Sequence, residues 1–154
     1  MTTQENINWK MYFIGFLAWG NLLFIGLLIS DYKKFEVFLA NFNASHFLIL
    51  FLLGFVAIGI QSFFEEILVR GYFLQGLHLR IKNMAMLIIV NGLIFGVLHF
   101  GYGIESFLSS WIFGIVFAII VVLQNRIEFV AGAHNANNLL LSLVFLDLSE
   151  ATNE

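Results

Sequence analysis

The chain contains no cysteine and no proline, and only 11% of its residues are charged. The absence of cysteine excludes a disulfide framework, a thiolate metal site and a cysteine nucleophile. The absence of proline leaves glycine as the main residue that can loosen a helix locally. The formal net charge of −3 provides no basic patch, so we do not expect nucleic acid to be a partner.

Hydrophobic residues dominate what is present, at 60% of the chain with a mean hydropathy of +0.92. Soluble domains contain roughly 45–50% apolar residues, so this composition indicates an integral membrane protein. At 154 residues, we expect one integral membrane domain over residues 1–154. Only helices and closed barrels satisfy their backbone in lipid, and apolar runs of about 20 residues without strict alternation favour helices.

The predicted fold is therefore all-α, a polytopic transmembrane bundle of about five membrane helices with a polar site buried between them. We interpret the first apolar run as a retained span, because it is long and no A-x-A cleavage site follows it. The distribution of lysine and arginine favours a cytoplasmic N-terminus. The predicted spans are Met11–Ser30, about His46–Val69, Met84–Phe100, about Ile104–Leu123 and about Ile127–Leu146. The predicted connectors are Asp31–Ser45, Leu79–Asn83, Gly101–Gly103 and Gln124–Arg126, followed by a frayed tail, Asp147–Glu154.

Two adjacent glutamates, Glu65 and Glu66, interrupt the second apolar stretch. A charge at the centre of a bilayer helix costs about 2.5–3.5 kcal/mol even on the lenient scale, so such residues are candidates for function. Arg70 lies four residues after Glu66 on the same helix face, in the favourable order for an ion pair. Glu65 is rotated away by about 100°, which leaves it available as a general base. The alternative is an acidic pair that reaches to the membrane interface.

Two histidines mark the later spans. His99 ends the third span, where Gly92 and Gly96 predict close packing on a neighbouring helix. His134 and Asn138 are four residues apart and share a face in a cluster of polar and small residues. The alternatives are an interfacial role for His99 and hydrogen bonding between helices for the second pair.

The heights of these groups in the membrane are compatible with one shared site. If the chain reverses near Lys82, Glu65 and His99 each lie seventeen residues from the turn, which is roughly 25 Å at about 1.5 Å per residue. A second reversal near Asn125 places the histidine–asparagine pair roughly 14 and 20 Å from that turn. We therefore predict that all four groups converge in one layer.

These residues carry a resemblance to a known family. They are similar in order and spacing to the three motifs of the CPBP family of CAAX prenyl proteases and bacteriocin-processing (Abi) enzymes, over about residues 62–140. The resemblance implies an intramembrane endopeptidase of a bacterial cell membrane, in which Glu65 and His99 activate water, His134 and Asn138 form an oxyanion site, and Glu66 and Arg70 orient the site. The motifs are Glu65-Glu66-x-x-x-Arg70, Phe95-x-x-x-His99 and His134-x-x-x-Asn138.

Several alternatives stay open beside this interpretation. The family analogy favours a metal-free site, but Glu65, His99 and His134 also form the His₂Glu set of some catalytic zinc sites. A haem held by the two histidines would leave the other motif residues unexplained. The chain could also be a non-catalytic membrane immunity or binding protein of the Abi type. The expected partners are a membrane peptide or protein substrate and the lipid bilayer, and the small size of the bundle favours a homo-oligomer that shields the site.

Overall fold

Helices form the regular structure of the chain in a computed structural model, which describes residues 6–30 and 32–151 and their side chains except those of 34 and 144–151. The predicted all-α fold is confirmed. A π-helical segment, Ile67–Phe73, joins α3 to α4, and a short 3₁₀ helix, Phe100–Tyr102, follows α5. The α-helices are α1 (Trp9–Ser30), α2 (Tyr32–Ala40), α3 (Ala44–Glu66), α4 (Leu74–His78), α5 (Met84–Leu98), α6 (Ile104–Gln124) and α7 (Glu128–Ala151).

Each of the five predicted apolar stretches is helical, and the fold is a membrane helix bundle. Three helical stretches of the described chain are long and apolar enough to cross a bilayer: Trp9–Ser30, Ala44–His78 and Ile104–Gln124. Helix α5 is also apolar, but at 15 residues it is shorter than a typical span of about 17–25 residues. Helix α7 carries the polar cluster. The number of helices that cross the membrane stays a prediction.

The prediction for the connector Asp31–Ser45 was wrong, because α2 occupies most of it. The charged residues of α2 lower the local hydropathy, so the sequence does not indicate that this segment has an apolar face. That face packs nonetheless: Phe35 contacts Phe24 of α1 edge to face, with ring centroids 5.6 Å apart, and Phe38 contacts Phe47 of α3 at 6.1 Å. Asp31 itself lies outside the described residues.

The prediction of a frayed tail from Asp147 onward was also wrong, since α7 continues through Ala151. No glycine or proline follows Gly132 in the sequence, so nothing in the chain ends the helix at Leu146. Residues 152–154 of the predicted tail lie outside the described residues. Two of the predicted turns are confirmed. Residues 79–83 separate α4 from α5, and Asn125 ends α6 in the left-handed conformation, with φ 55°.

The described chain divides into two compact units. Unit 1 contains residues 6–7 and 64–130, and unit 2 contains residues 8–63 and 131–151. Unit 1 therefore includes the acidic pair, the π-helical segment and helices α4 to α6. The prediction of one domain over the whole chain is not tested by this division.

In unit 1, α5 and α6 pack with their backbones in near contact. A methyl group on Gly92 would lie 2.6 Å from a side-chain carbon of Ile115, and one on Gly114 would lie 2.9 Å from the Cα of Gly92. At Gly96, the same group would lie 3.0 Å from the carbonyl oxygen of Phe107. The predicted close packing at Gly92 and Gly96 is thus confirmed, and Gly114 is the matching small residue on α6.

In unit 2, α1 and α7 approach equally closely at Gly132. A methyl group there would overlap the carbonyl oxygen of Tyr12, so no side chain can replace its hydrogen without separating the helices. Phenylalanine rings also contact one another in this unit, with Phe51 stacked between Phe47 and Phe55 at centroid distances of 6.0 and 6.1 Å.

Candidate active site

The first motif lies where α3 passes into the π-helical segment. Glu66 is the last residue of α3, and Arg70 lies in the middle of the wider π turn. The Nη1 of Arg70 donates to Oε1 of Glu66 over 3.0 Å, and both side chains are 0% exposed. The predicted ion pair is therefore present, and it is fully removed from solvent and lipid. Glu65, the preceding residue, is only partly buried.

Arg70 also connects the first motif to α5 and α6. Its Nη2 donates to the carbonyl oxygen of Gly114 over 3.2 Å. Its guanidinium carbon lies 4.5 Å from the ring centroid of Phe95 and 5.7 Å from that of Phe117. A cation over an aromatic face is attracted by the ring quadrupole, most strongly when both are desolvated. One arginine therefore joins the acidic motif to the phenylalanine of the second motif.

The backbone geometry explains why glycine stands at 114. Because Gly92 and Gly114 bring α5 and α6 together without side chains, the carbonyl of Gly114 is accessible to the guanidinium. A buried arginine needs several acceptors, since it carries five N–H donors and cannot lose its charge. The carboxylate of Glu66 and this carbonyl supply two of them.

His99 lies just after α5, and its ring is held by Phe95, the first residue of the same motif. Its Nδ1 lies 2.9 Å from the carbonyl oxygen of Phe95, and the two rings are 4.6 Å apart between centroids. A carbonyl oxygen can only accept, so this hydrogen bond requires the hydrogen on Nδ1. In the neutral ring, Nε2 is then the nitrogen with a lone pair, which can accept a proton or bind a metal ion. The His99 residue as a whole is partly exposed.

A residue that the sequence analysis did not identify, Asn91, is also part of this site. It is 0% exposed, and its Nδ2 donates to the carbonyl oxygen of Val69 over 2.8 Å. The same carbonyl accepts the Leu74 N–H, five residues ahead, which is the bond that defines the π turn. Asn91 therefore links α5 to the segment that carries Arg70. The sequence contains a pattern that could have identified Asn91, because Asn91, Phe95 and His99 are spaced by four residues and share one helix face.

The third motif lies on α7 in unit 2. His134 is 2% exposed, and Asn138, one turn later, is partly buried. The Oδ1 of Asn138 accepts a hydrogen bond from Nδ2 of Asn137 over 3.1 Å, and its backbone carbonyl accepts one from the Ser142 hydroxyl over 2.8 Å. The motif is thus helical, with its two side chains on one face as predicted.

The neighbouring asparagines of this cluster bond to other helices. Nδ2 of Asn135 donates to the Tyr12 hydroxyl over 2.7 Å and to the carbonyl oxygen of Phe55 over 3.2 Å. Nε1 of Trp19 donates to Oδ1 of Asn137 over 3.3 Å. These two asparagines therefore form hydrogen bonds between helices, the role that was the alternative interpretation of this cluster, and they connect α7 to α1 and α3.

Among the predicted site residues, Glu66, Arg70 and the Phe95–His99 motif come together within unit 1, with Glu65 next to the ion pair in sequence. His134 and Asn138 belong to unit 2, so the convergence of all three motifs stays a prediction. Within each unit, the described histidine, aspartate and glutamate side chains form no group of three that could hold a metal ion. The zinc alternative draws on both units and likewise stays a prediction.

Comparison with known proteins identifies the family. The family model described as type II CAAX prenyl endopeptidase Rce1-like matches residues 43–140, a range that contains all three motifs. The chain is 31% identical to the uncharacterized protein YyaK of Bacillus subtilis (strain 168) over 151 residues, which is 93% of this chain and 50% of YyaK. The chain thus spans about half the length of this relative. No solved structure matches the chain at a significant level. On the strength of the family match and its three motifs, the chain belongs to the Rce1-like family of type II CAAX prenyl endopeptidases, within the CAAX protease family that its motifs resemble.

Proposed function

We propose that the chain is an intramembrane endopeptidase that cleaves a membrane-associated peptide or protein. The observation that carries the proposal is the position of Arg70, which pairs with Glu66 and lies over the ring of Phe95. Through these contacts, one buried cation fixes the acidic motif relative to the motif that ends in His99. The family assignment supports peptide hydrolysis as the chemistry, and the relative from Bacillus subtilis supports a bacterial origin. The three long apolar helical stretches support a multi-pass membrane location.

In the proposed reaction, Glu65 and His99 activate a water molecule. The water gives a proton to the carboxylate of Glu65, its oxygen forms a bond to the scissile carbonyl carbon, and the carbonyl oxygen becomes negatively charged. The C–N bond then breaks, and the leaving nitrogen takes up the proton. A positioned general base contributes about 10²–10⁴-fold to such a step. His99 suits a role beside Glu65 because its Nδ1 hydrogen is donated to the carbonyl of Phe95. Its Nε2 can therefore accept a hydrogen bond from the water.

The oxyanion of this reaction needs donors, and we assign that role to His134 and Asn138. Both residue types can donate to a developing negative charge, and removal of one such donor typically costs about 10²–10³-fold in kcat. Their spacing of four residues on α7 supports a joint role, because both side chains lie on one face of the helix. Glu66 and Arg70 act as positioning residues, since both are 0% exposed and would not touch the substrate.

A zinc site remains the alternative form of this function. The imidazole nitrogens of His99 and His134 and the carboxylate of Glu65 are suitable ligands, and the Nδ1 hydrogen bond of His99 to Phe95 resembles the support that ligating histidines usually have. A bound zinc ion would lower the pKa of a coordinated water. We expect peptidase activity to survive chelation and purified protein to contain less than stoichiometric zinc. Activity lost with zinc and restored by it would replace the metal-free mechanism.

The decisive experiment is a peptidase assay in proteoliposomes. The substrates are membrane peptides offered in pairs, with and without a C-terminal prenyl group, so that one assay tests both cleavage and substrate class. We compare the wild type with Glu65→Gln and His99→Ala, and use Glu36→Gln as the matched control because Glu36 is an exposed glutamate on α2. Both site variants should lose at least about 100-fold in activity, as expected for removal of a general base or its partner, and the control should not.

The same variants test the non-catalytic alternative of the Abi type. If Glu65→Gln supports the cellular phenotype of the protein as well as the wild type does, then peptide binding is sufficient and the catalytic proposal fails. The variant retains the shape of the side chain and removes its charge and basicity, so a loss of the phenotype could not be attributed to lost packing.

A further inference from the structure

A cavity separate from the proposed catalytic residues opens in unit 1 beside α4. It has a volume of about 540 Å³. Leu74, Leu87 and Val122 form an apolar floor, and the first two of these are 2% exposed. Gln75, His78 and Asn125 supply the polar part of its lining. The proposed function uses none of these residues.

The length of the helix that forms one wall places this cavity at the membrane surface. Ala44–His78 is helical over 35 residues, which corresponds to roughly 52 Å at about 1.5 Å per residue. The hydrocarbon core of a bilayer is only about 30 Å thick, so one end of this helix must extend into the headgroup region. The end with Gln75, His78 and the polar connector 79–83 is the one suited to that region. Tyr72, at 71% exposure, lies where interfacial aromatic residues are enriched.

The lining matches an amphipathic molecule. An apolar floor below a polar rim, at the boundary between hydrocarbon and water, suits the upper acyl chain and the headgroup of a phospholipid. Gly76 leaves room for it, because a methyl group added there would meet nothing within 4 Å. A free phosphate ion would use the rim but would leave the apolar floor uncovered.

The charges beside the cavity favour an anionic headgroup. Arg80 and Lys82 are both exposed in the connector that follows the rim residue His78. Nζ of Lys82 donates to the backbone carbonyl of His78 over 3.2 Å, which holds this cation against the last turn of α4. Each lysine or arginine near an anionic lipid surface contributes about 1 kcal/mol, or about five-fold in affinity.

We propose that this cavity binds one anionic phospholipid, with an acyl chain against Leu74 and Leu87 and the phosphate near Arg80 and Lys82. The site is independent of the proposed peptidase function, because it needs neither the acidic pair nor the histidines. The lipid would cover the apolar surface of α4 and α5 and complete the packing of this end of unit 1.

The test is native mass spectrometry of the full chain released from nanodiscs that contain equal amounts of phosphatidylglycerol and phosphatidylcholine. The wild type should retain one phosphatidylglycerol. The double variant Arg80→Gln with Lys82→Gln should lose about 25-fold of the preference for phosphatidylglycerol, the product of two five-fold contributions. The matched control, Lys10→Gln with Lys33→Gln, removes the same charge from exposed lysines elsewhere and should retain the preference.

A second pair of variants tests the cavity itself. Gly76→Leu should fill it and abolish lipid retention, while Gly101→Leu adds the same side chain at another open glycine and should not. An unchanged lipid preference in the charge variant, or retention by Gly76→Leu equal to that of Gly101→Leu, would overturn the proposal. Displacement of the lipid by millimolar inorganic phosphate would also overturn it, because the site would then recognise a free anion. If Gly76→Leu does not fold, the charge variants decide alone, since both altered side chains are exposed.

Discussion

Nδ2 of Asn91 donates to the carbonyl oxygen of Val69 over 2.8 Å, one residue before the arginine of the first motif. The bond joins the middle of α5 to the π-helical segment, and both residues are fully buried. π turns are rare and often lie at functional sites. A rare backbone conformation persists only where the surrounding structure stabilises it. Asn91 provides that support on the face of α5 that also carries Phe95 and His99.

We expect Asn91→Ala to lower the free energy of unfolding by about 1–3 kcal/mol, the usual cost when a buried hydrogen-bond partner is removed. The measurement is unfolding in mixed detergent micelles followed by circular dichroism. Asn41→Ala is the matched control, because Asn41 is exposed and bonds only to Val37, four residues earlier. Its effect should stay within about 0.5 kcal/mol. Equal effects of the two changes would show that the bond to Val69 does not stabilise the fold.

Arg70→Ala should destabilise the protein far more than Glu65→Gln does. Removing the arginine leaves the carboxylate of Glu66 buried without its cation, which typically costs about 3–5 kcal/mol. Glu65 is partly exposed, so its neutralisation should cost about 0.5 kcal/mol or less. Membrane yield and thermal melting of the two variants, purified side by side, provide the comparison. Similar yields and melting temperatures would contradict the assignment of Arg70 as the cation that organises this site.

Gly114→Ala should destabilise the contact between α5 and α6 by about 1–3 kcal/mol, as overpacking in a close-packed interior does. The added methyl group would lie 2.9 Å from a backbone carbon of Gly92, which cannot move as a flexible side chain can. The control is Gly76→Ala, a helical glycine with open space around it, which should stabilise the protein by about 0.5–1 kcal/mol. The two melting temperatures should therefore move in opposite directions. A shift in the same direction would argue against steric contact as the cause.

His99→Asn should separate the structural role of the histidine from its proposed chemical role. The asparagine amide can still donate to the carbonyl of Phe95, as Nδ1 does, but it has no nitrogen lone pair in place of Nε2. We expect melting close to that of the wild type, with peptidase activity reduced by about 10²–10⁴-fold. His99→Ala, which loses both functions, should be less stable as well as inactive. Full activity of the asparagine variant would remove His99 from the proposed mechanism.

The sequence predicted the helices where apolar runs are long and the motifs where spacing alone fixes a shared face. The Glu66–Arg70 pair was predictable because four residues bring two side chains together in either type of turn. Helix α2 was not predictable, because Lys33 and Glu36 lower the hydropathy of a segment whose phenylalanines pack on other helices. The contribution of such packing depends on partners that are distant in sequence.

The π-helical segment and the role of Asn91 could not be predicted in the same way. Hydrophobic periodicity does not reveal one extra residue in a turn, because a continuous apolar run has the same pattern whether it forms α turns or a π turn. The hydrogen bond between Asn91 and Val69 joins residues 22 positions apart and depends on how α5 lies against the segment. The Nδ1 hydrogen bond of His99, in contrast, lies within four residues and follows once α5 is known to end at Leu98.

The wide turn at Ile67–Phe73 has a consequence for insertions and deletions. A π turn takes up more residues than an α turn, so deleting one residue there would let the backbone return to ordinary helical bonding with little disruption. Glu66 and Arg70 would then lie four residues apart if the lost residue followed Arg70, or three if it lay between them, and both spacings keep the two side chains on one face. The five-residue bond from the Leu74 N–H to the Val69 carbonyl would disappear, and with it the position of that carbonyl opposite Asn91. A chain shortened by that single codon could still insert and keep its ion pair, yet lose the hydrogen bond that ties this segment to α5.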